Sequence, residues 1–219
     1  MRRLSVAILL VAAVAGGVPK SGLASDAFAW ETIGRARAYL AETTPTATSF
    51  VQSYTPSGFS TADSEHGTLA LRLETGDREE CVRWDYLDPF PKGFLLCGRV
   101  AWSWTPGDDT GRRWVVGPSD SFGLDLLTLS LEELRENYEP DLPITQEASL
   151  SVTLRPTGPA AREISDATLL IEPGTGRLLA LSYHDVEGNL TTFTFGEFEP
   201  VASPATIFTP PAELAWIDE

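Results

Sequence analysis

The chain has 219 residues, 42% of them hydrophobic and 21% charged, with a formal net charge of −15 at pH 7. That length fits one domain with a sizeable core, and so apolar a composition excludes a disordered chain. The acidic surface excludes nucleic acid as a partner and favours neutral or cationic ones.

Met1-Arg2-Arg3 opens the chain, an almost unbroken apolar run covers Leu4 to Gly17, and small residues cluster at Gly22-Leu23-Ala24. A basic end, an apolar run of about 14 residues and a small-residue cleavage site describe a secretory signal peptide. The run is shorter than the roughly 20 residues of an ordinary membrane span. Residues 1–25 are therefore expected to be a cleavable leader and 26–219 the mature domain. Cleavage would remove Arg2, Arg3 and Lys20 and no acid, taking the charge from −15 to −18.

Trp30, Ile33, Ala36 and Leu40 recur at helical spacing, which predicts a helix over Ala27 to Ala41, ended by Thr43-Thr44-Pro45. Strands follow at Phe50 to Tyr54 and through Leu69, Leu71 and Leu73. Val82, Trp84 and Tyr86 then alternate with Arg83 and Asp85, the period of a strand with one apolar face. Leu87 to Gly93, with two prolines and a glycine, breaks the run before Phe94, Leu95 and Leu96 resume it. A hairpin over these two runs sets Trp84 against Phe94 and Val82 against Leu96 on one face. It sets Cys81 against Cys97 on the other. In an exported chain this juxtaposition favours a Cys81–Cys97 disulfide over two free thiols. Val100, Trp102 and Trp104 share a face of the next strand.

Gly123 to Tyr138 is the one strongly helical interior stretch. Leu124, Leu126, Leu127 and Leu129 precede a capping box at Ser130-Leu131-Glu132-Glu133, with Leu131 and Leu134 along one face. Strands return at Ala148 to Arg155, Ala167 to Glu172, Arg177 to His184, Leu190 to Phe195 and near Ala205 to Phe208. Their spacing predicts an antiparallel sheet with consecutive pairing and two or three helices.

Catalytic and metal signatures are scarce. His66 and His184 stand alone, and no nucleophile elbow, phosphate loop or zinc-protease helix is present. Asp108-Asp109 and Glu132-Glu133 read as surface charge in a loop tip and on a solvated helix face. No catalytic residue, metal or cofactor is expected. The conspicuous feature is instead apolar surface on many strand faces, which suits either a core between two sheets or a cavity inside one curved sheet.

The chain resembles the outer-membrane lipoprotein carrier family, LolA. The resemblance rests on an ordered set: Phe50-x-Gln52, Gly67-x-Leu69, Arg83-Trp84-x-Tyr86-x-x-Pro89 and Leu95-Leu96-x-Gly98-x-x-x-Trp102. Leu124 to Leu129, Gly176-Arg177-Leu178-x-x-Leu181, Asp185-x-x-Gly188-x-x-Thr191-x-Phe193-x-Phe195 and Phe208-x-Pro210-Pro211 complete it. It implies a mainly β fold with an α-helical lid: a single curved antiparallel sheet forming an incomplete (half) β-barrel covered by helices. It also implies a monomeric periplasmic chaperone that shields acyl chains of lipoproteins or other lipids. Such a carrier takes them from an inner-membrane ABC transporter to an outer-membrane acceptor.

On this reading the cavity is lined by Leu69, Leu71, Val82, Trp84, Phe94, Leu96, Trp102, Trp104, Leu181, Tyr183, Phe193 and Phe195. The lid is Leu124, Leu126, Leu127, Leu129, Leu131 and Leu134. The family ties its lid shut with an arginine just after the Gly-x-Leu strand; here Arg72 or Arg78 would have to serve. The rival readings are a carrier of another lipid or glycolipid, a sensor of mislocalised lipoproteins, and a secreted β-sandwich hydrolase using a carboxylate pair.

Overall fold

The computed structural model describes residues 21–74, 79–117, 125–202 and 204–219. It opens with helix α1 (Ser21–Thr43), which runs further toward the amino terminus than its apolar stripe predicts. The strands β1 (Thr46–Thr55), β2 (Asp63–Arg72), β3 (Cys81–Asp88), β4 (Lys92–Cys97), β5 (Val100–Trp104) and β6 (Thr110–Val115) then form an antiparallel meander. Helices α2 (Asp125–Thr128) and α3 (Leu131–Asn137) interrupt it. The second half brings β7 (Tyr138–Pro140), β8 (Ile144–Gln146), β9 (Ser149–Pro156), β10 (Ile164–Ile171), β11 (Leu178–Asp185), β12 (Leu190–Phe195) and β13 (Glu199–Pro200). A short helix α4 (Pro204–Ile207) and strand β14 (Ala215–Asp218) end the chain.

All fourteen strands belong to one curved, unclosed sheet, ordered β14-β6-β5-β4-β3-β2-β1-β12-β11-β10-β9-β7, with β13 on β1 and β8 on β9. Pairing is consecutive from β1 to β6 and from β9 to β12, with β7 and β8 both on β9, but β12 returns to pair with β1, so the first strand lies in the middle of the sheet. Among the described strands the parallel pair, β14 with β6, is at an edge.

The β3–β4 register is the expected one, with Cys81 opposite Cys97, Val82 opposite Leu96 and Trp84 opposite Phe94. Cys81 and Cys97 are joined by a disulfide. Two expectations fail. The stretch near Ala205 to Phe208 is helical at its start and not a strand; the last strand comes later, at Ala215. The interior helical stretch is divided because Ser130 caps a new helix. Its Oγ accepts the Glu133 N–H at 3.2 Å, and its own N–H donates to Glu133 Oε2 at 2.8 Å.

The core fills the concave face. Ala29, Ile33, Ala36 and Leu40 form the buried stripe of α1 and pack with Leu126, Leu127 and Leu134 over Leu69, Leu71, Val82, Leu181 and Phe195. A second, smaller core lies on the convex face. There the carboxy-terminal segment lays Phe208, Ile207, Leu214 and Trp216 over Ala70, Cys81, Leu95 and Trp104. Arg83 fastens it, donating from Nη1 to the Ile207 carbonyl at 3.0 Å, holding Asp85 at 2.6 Å and stacking over the Trp104 ring. Gly93 is required beneath Trp104, because a Cβ there would collide with the indole.

Candidate functional site

The helices cover only part of the concave face. Toward β4, β5, β6 and β14 no described helix covers the sheet, and an open cavity of about 750 Å³ lies there. Its apolar wall is Trp84, Phe94, Tyr183, Phe193 and Ile217, and Gln52, Tyr86, Ser103, Thr110 and Arg112 add polar groups. Among its described lining residues none comes from a helix.

The wall is built by strand alternation. Trp84 and Tyr86 project from β3 to the same side as Phe50 and Gln52 of β1 and Phe193 of β12. Phe50 meets Trp84, Tyr86 and Phe193 edge-on at ring-centre distances of 5.0, 5.1 and 5.9 Å. Trp84 and Phe193 are 4.9 Å apart. Gly67, between the Phe50 and Tyr86 strands, leaves room for the Phe50 ring, which a Cβ would meet at 2.7 Å. Offset and edge-on aromatic contacts of this kind give a rigid apolar surface.

Three charged side chains, Lys92, Asp108 and Arg112, are among the described lining residues. Burial raises the phenol of Tyr86 well above the ordinary tyrosine range and that of Tyr183 in the same direction, so both stay protonated. The Tyr86 hydroxyl donates to Gln52 Oε1 at 2.6 Å. Lys92 lies at the rim, 2.8 Å from Glu65 and above the Tyr86 ring. Arg112, also at the rim, is 3.5 Å from Glu219. The mouth opens at the sheet end that carries the tips 56–62, 89–91 and 105–109, where Phe59, Leu87 and Phe90 are exposed.

The expected cavity residues thus divide four ways. Trp84, Phe94, Tyr183 and Phe193 line the cavity. Leu69, Leu71, Val82, Leu181 and Phe195 are buried core beneath the helices, and Leu96 packs against that core. Trp102 packs on the convex face, and β5 shows why. Leu95 faces Trp102 across the ladder, on the side away from Phe94. Trp104 borders the cavity, but its indole belongs to the convex cluster, 6.4 Å from Trp216. Tyr86, Gln52 and Ile217 were missed as lining residues, although the alternation that selects Trp84 also selects Tyr86.

Of the expected lid, Leu126, Leu127 and Leu134 are buried in the main core and Leu129 and Leu131 pack against it; Leu124 lies outside the described residues. Arg72 does not reach it. Its Nε donates to the Glu79 carbonyl at 3.0 Å and its guanidinium stacks over Phe208 on the convex side. Arg78 lies outside the described residues. The arginine that does grip the lid backbone is Arg37 of α1. Its Nη1 donates to Leu127 O at 2.8 Å and its Nη2 to Thr128 O at 3.0 Å. No local sequence pattern marks Arg37, whose partners are 90 residues away.

Among the described lining residues Asp108 is the one carboxylate, and no histidine, cysteine or second carboxylate joins it. His184 Nδ1 is 3.0 Å from Asp166 Oδ1, but it follows Tyr183 on β11 and so projects from the opposite face. Asp108 and Asp109 are exposed in a hairpin tip. Among the described residues, no group of three or more His, Cys, Asp or Glu could hold a metal, and no helix is long and apolar enough to cross a membrane.

No protein-family model matches the chain, and no curated protein matches it. Solved structures do. A DUF1329 family protein from Desulfovibrio piger aligns with a TM-score of 0.51 at 14% identity, over 84% of this chain and 97% of that one. A LolA superfamily protein from Nitrosomonas europaea aligns at 12% identity and a TM-score of 0.46, over 83% and 97% of the two chains. The Pseudomonas aeruginosa MucA/MucB complex gives 14% identity and a TM-score of 0.49, over 87% of this chain but only 63% of the other. The curved, unclosed sheet with its helical cover shares its fold with the DUF1329 family protein over most of both chains.

Proposed function

We propose that this chain is a periplasmic carrier that holds an acyl chain of a lipoprotein or other lipid and passes it between membranes, without catalysing a reaction. The observation that carries this reading is the aromatic-walled cavity of about 750 Å³ at the end of the half-barrel that no described helix covers. That volume lies within the roughly 300–1,000 Å³ of ordinary ligand sites. Removing a long acyl chain from water is favourable by about 0.8 kcal/mol per methylene, so a carrier needs a dry apolar surface and few charges, which this wall supplies.

The reading includes export by residues 1–25, delivery from an inner-membrane transporter and release to an outer-membrane acceptor. The exposed Phe59, Leu87 and Phe90 at the mouth are where an acceptor would meet the cargo. The test is native mass spectrometry with lipid extraction on protein purified from an exporting host, followed by titration with a fluorescent acyl probe. Co-purified acyl lipid, or saturable probe uptake, is expected. Protein that arrives empty and takes up no probe would overturn the carrier reading.

A further inference from the structure

The cavity wall contains a buried donor without a partner among the described residues. The Trp84 side chain is 1% exposed, and its indole Nε1–H has no hydrogen-bond partner among the described residues. A buried polar group left in this state is costly, and native structures rarely keep one without a use. Trp84 lines the cavity together with Gln52. The Tyr86 hydroxyl donates to Gln52 Oε1, and the Gln52 amide N–H₂ adds a further donor to the same lining.

We infer that the site recognises a neutral carbonyl acceptor, the ester or amide that joins an acyl chain to its head group, through the Trp84 Nε1–H. An ionised carboxylate fits the same place badly. No cation lies on the apolar wall, and the rim cations Lys92 and Arg112 have side chains 47% and 68% exposed and carboxylates already beside them. Burying an unpaired charge against Trp84, Phe94 and Phe193 would cost far more than a neutral carbonyl. The cavity would therefore favour esterified or amidated chains over free fatty acids and over plain hydrocarbon of equal length.

This inference rests on the carrier reading, and one experiment separates the two. The full mature chain is loaded with the dye 1-N-phenylnaphthylamine, which is displaced by an alkyl ester, a hydrocarbon and a fatty acid of matched chain length. Ester should displace dye about tenfold better than hydrocarbon, the worth of one satisfied buried hydrogen bond. Trp84→Phe, which keeps an aromatic ring, should collapse that ratio toward one, whatever it does to overall affinity. Trp102→Phe, on the convex face, should leave the ratio unchanged. With nitrogen-15 labelling, the indole N–H resonance missing from Trp84→Phe should shift on adding ester and not hydrocarbon. An undiminished ester preference in Trp84→Phe, or a preference for the fatty acid, overturns the inference while leaving the carrier intact. Failure of the dye to bind at all sinks the carrier reading itself.

Discussion

Arg37 holds Leu127 by its backbone: one guanidinium nitrogen donates to the Leu127 carbonyl at 2.8 Å and the other to Thr128 at 3.0 Å. These carbonyls end the four-residue helix α2, whose last acceptors have no partner within the helix. Burial pulls the Arg37 pKa down from its ordinary value, while Glu80 and Glu133 push it back up. An arginine so far above neutrality keeps its charge. The contact fastens the lid to the amino-terminal helix, independently of the strand that follows Gly67.

Arg37→Met is expected to destabilise the fold by about 2 kcal/mol, the scale of hydrogen bonds to a charged group. It should also accelerate amide hydrogen exchange selectively over residues 125–137. Arg37→Lys should recover only part of this, because an ammonium does not match two adjacent carbonyls as a planar fork does. Exchange that rises equally across the whole sheet would show a general loss of stability and no latch.

The disulfide closes a hairpin between cysteines 16 positions apart, on the convex face under the carboxy-terminal segment. Replacing both cysteines by serine should cost about 3 kcal/mol on the loop-entropy model. Urea unfolding with and without reductant measures it, the double variant being insensitive to reductant. Probe affinity should change little, since neither cysteine lines the cavity.

The capping box gives a pH dependence of defined sign. Hydrogen bonds from Ser130, side chain first and then backbone, hold the Glu133 carboxyl below its ordinary value, with partial burial opposing them. A depressed carboxylate contributes stability that is present above the ordinary glutamate range and lost as pH falls through it toward the folded value. Ser130→Ala should therefore cost about 1 kcal/mol near neutrality, with a smaller difference from the parent at about pH 3. Thermal melts at the two pH values check it, and an equal loss at both would contradict the coupling.

Much of this was legible from local pattern. The β3–β4 hairpin could be registered from its sequence, and the register placed the cysteines back to back with the Trp84–Phe94 pair. The capping box at Ser130 was visible, but its consequence, a helix start that divides one apolar stretch into two helices, was not drawn from it. Contacts made across the fold were not legible. Arg37 looks like any exposed helix arginine until α2 is folded beside it, and the pairing of β12 with β1 joins strands about 140 residues apart.

The placement of β5 is the instructive failure, and it yields the sharpest test. Gly98 and Arg99 alone separate Cys97 from Val100, so a tight turn sets those two residues opposite each other. Whatever face Cys97 takes, Val100, Trp102 and Trp104 must share it, and the disulfide pairing had already put Cys97 away from the cavity. Bulk and aromaticity suggested a lining role for Trp102 that register forbids. Trp102→Glu should therefore leave acyl-probe affinity within about twofold, with a loss of stability of about 1 kcal/mol from disturbed packing near Leu95. Phe94→Glu, one residue from Leu95 but on the concave face, should weaken the probe by more than about tenfold, since it puts a charge into the apolar wall. Paired probe titrations and urea melts on the two variants decide it; equal losses of binding from both would mean that the cavity is not where the acyl chain goes.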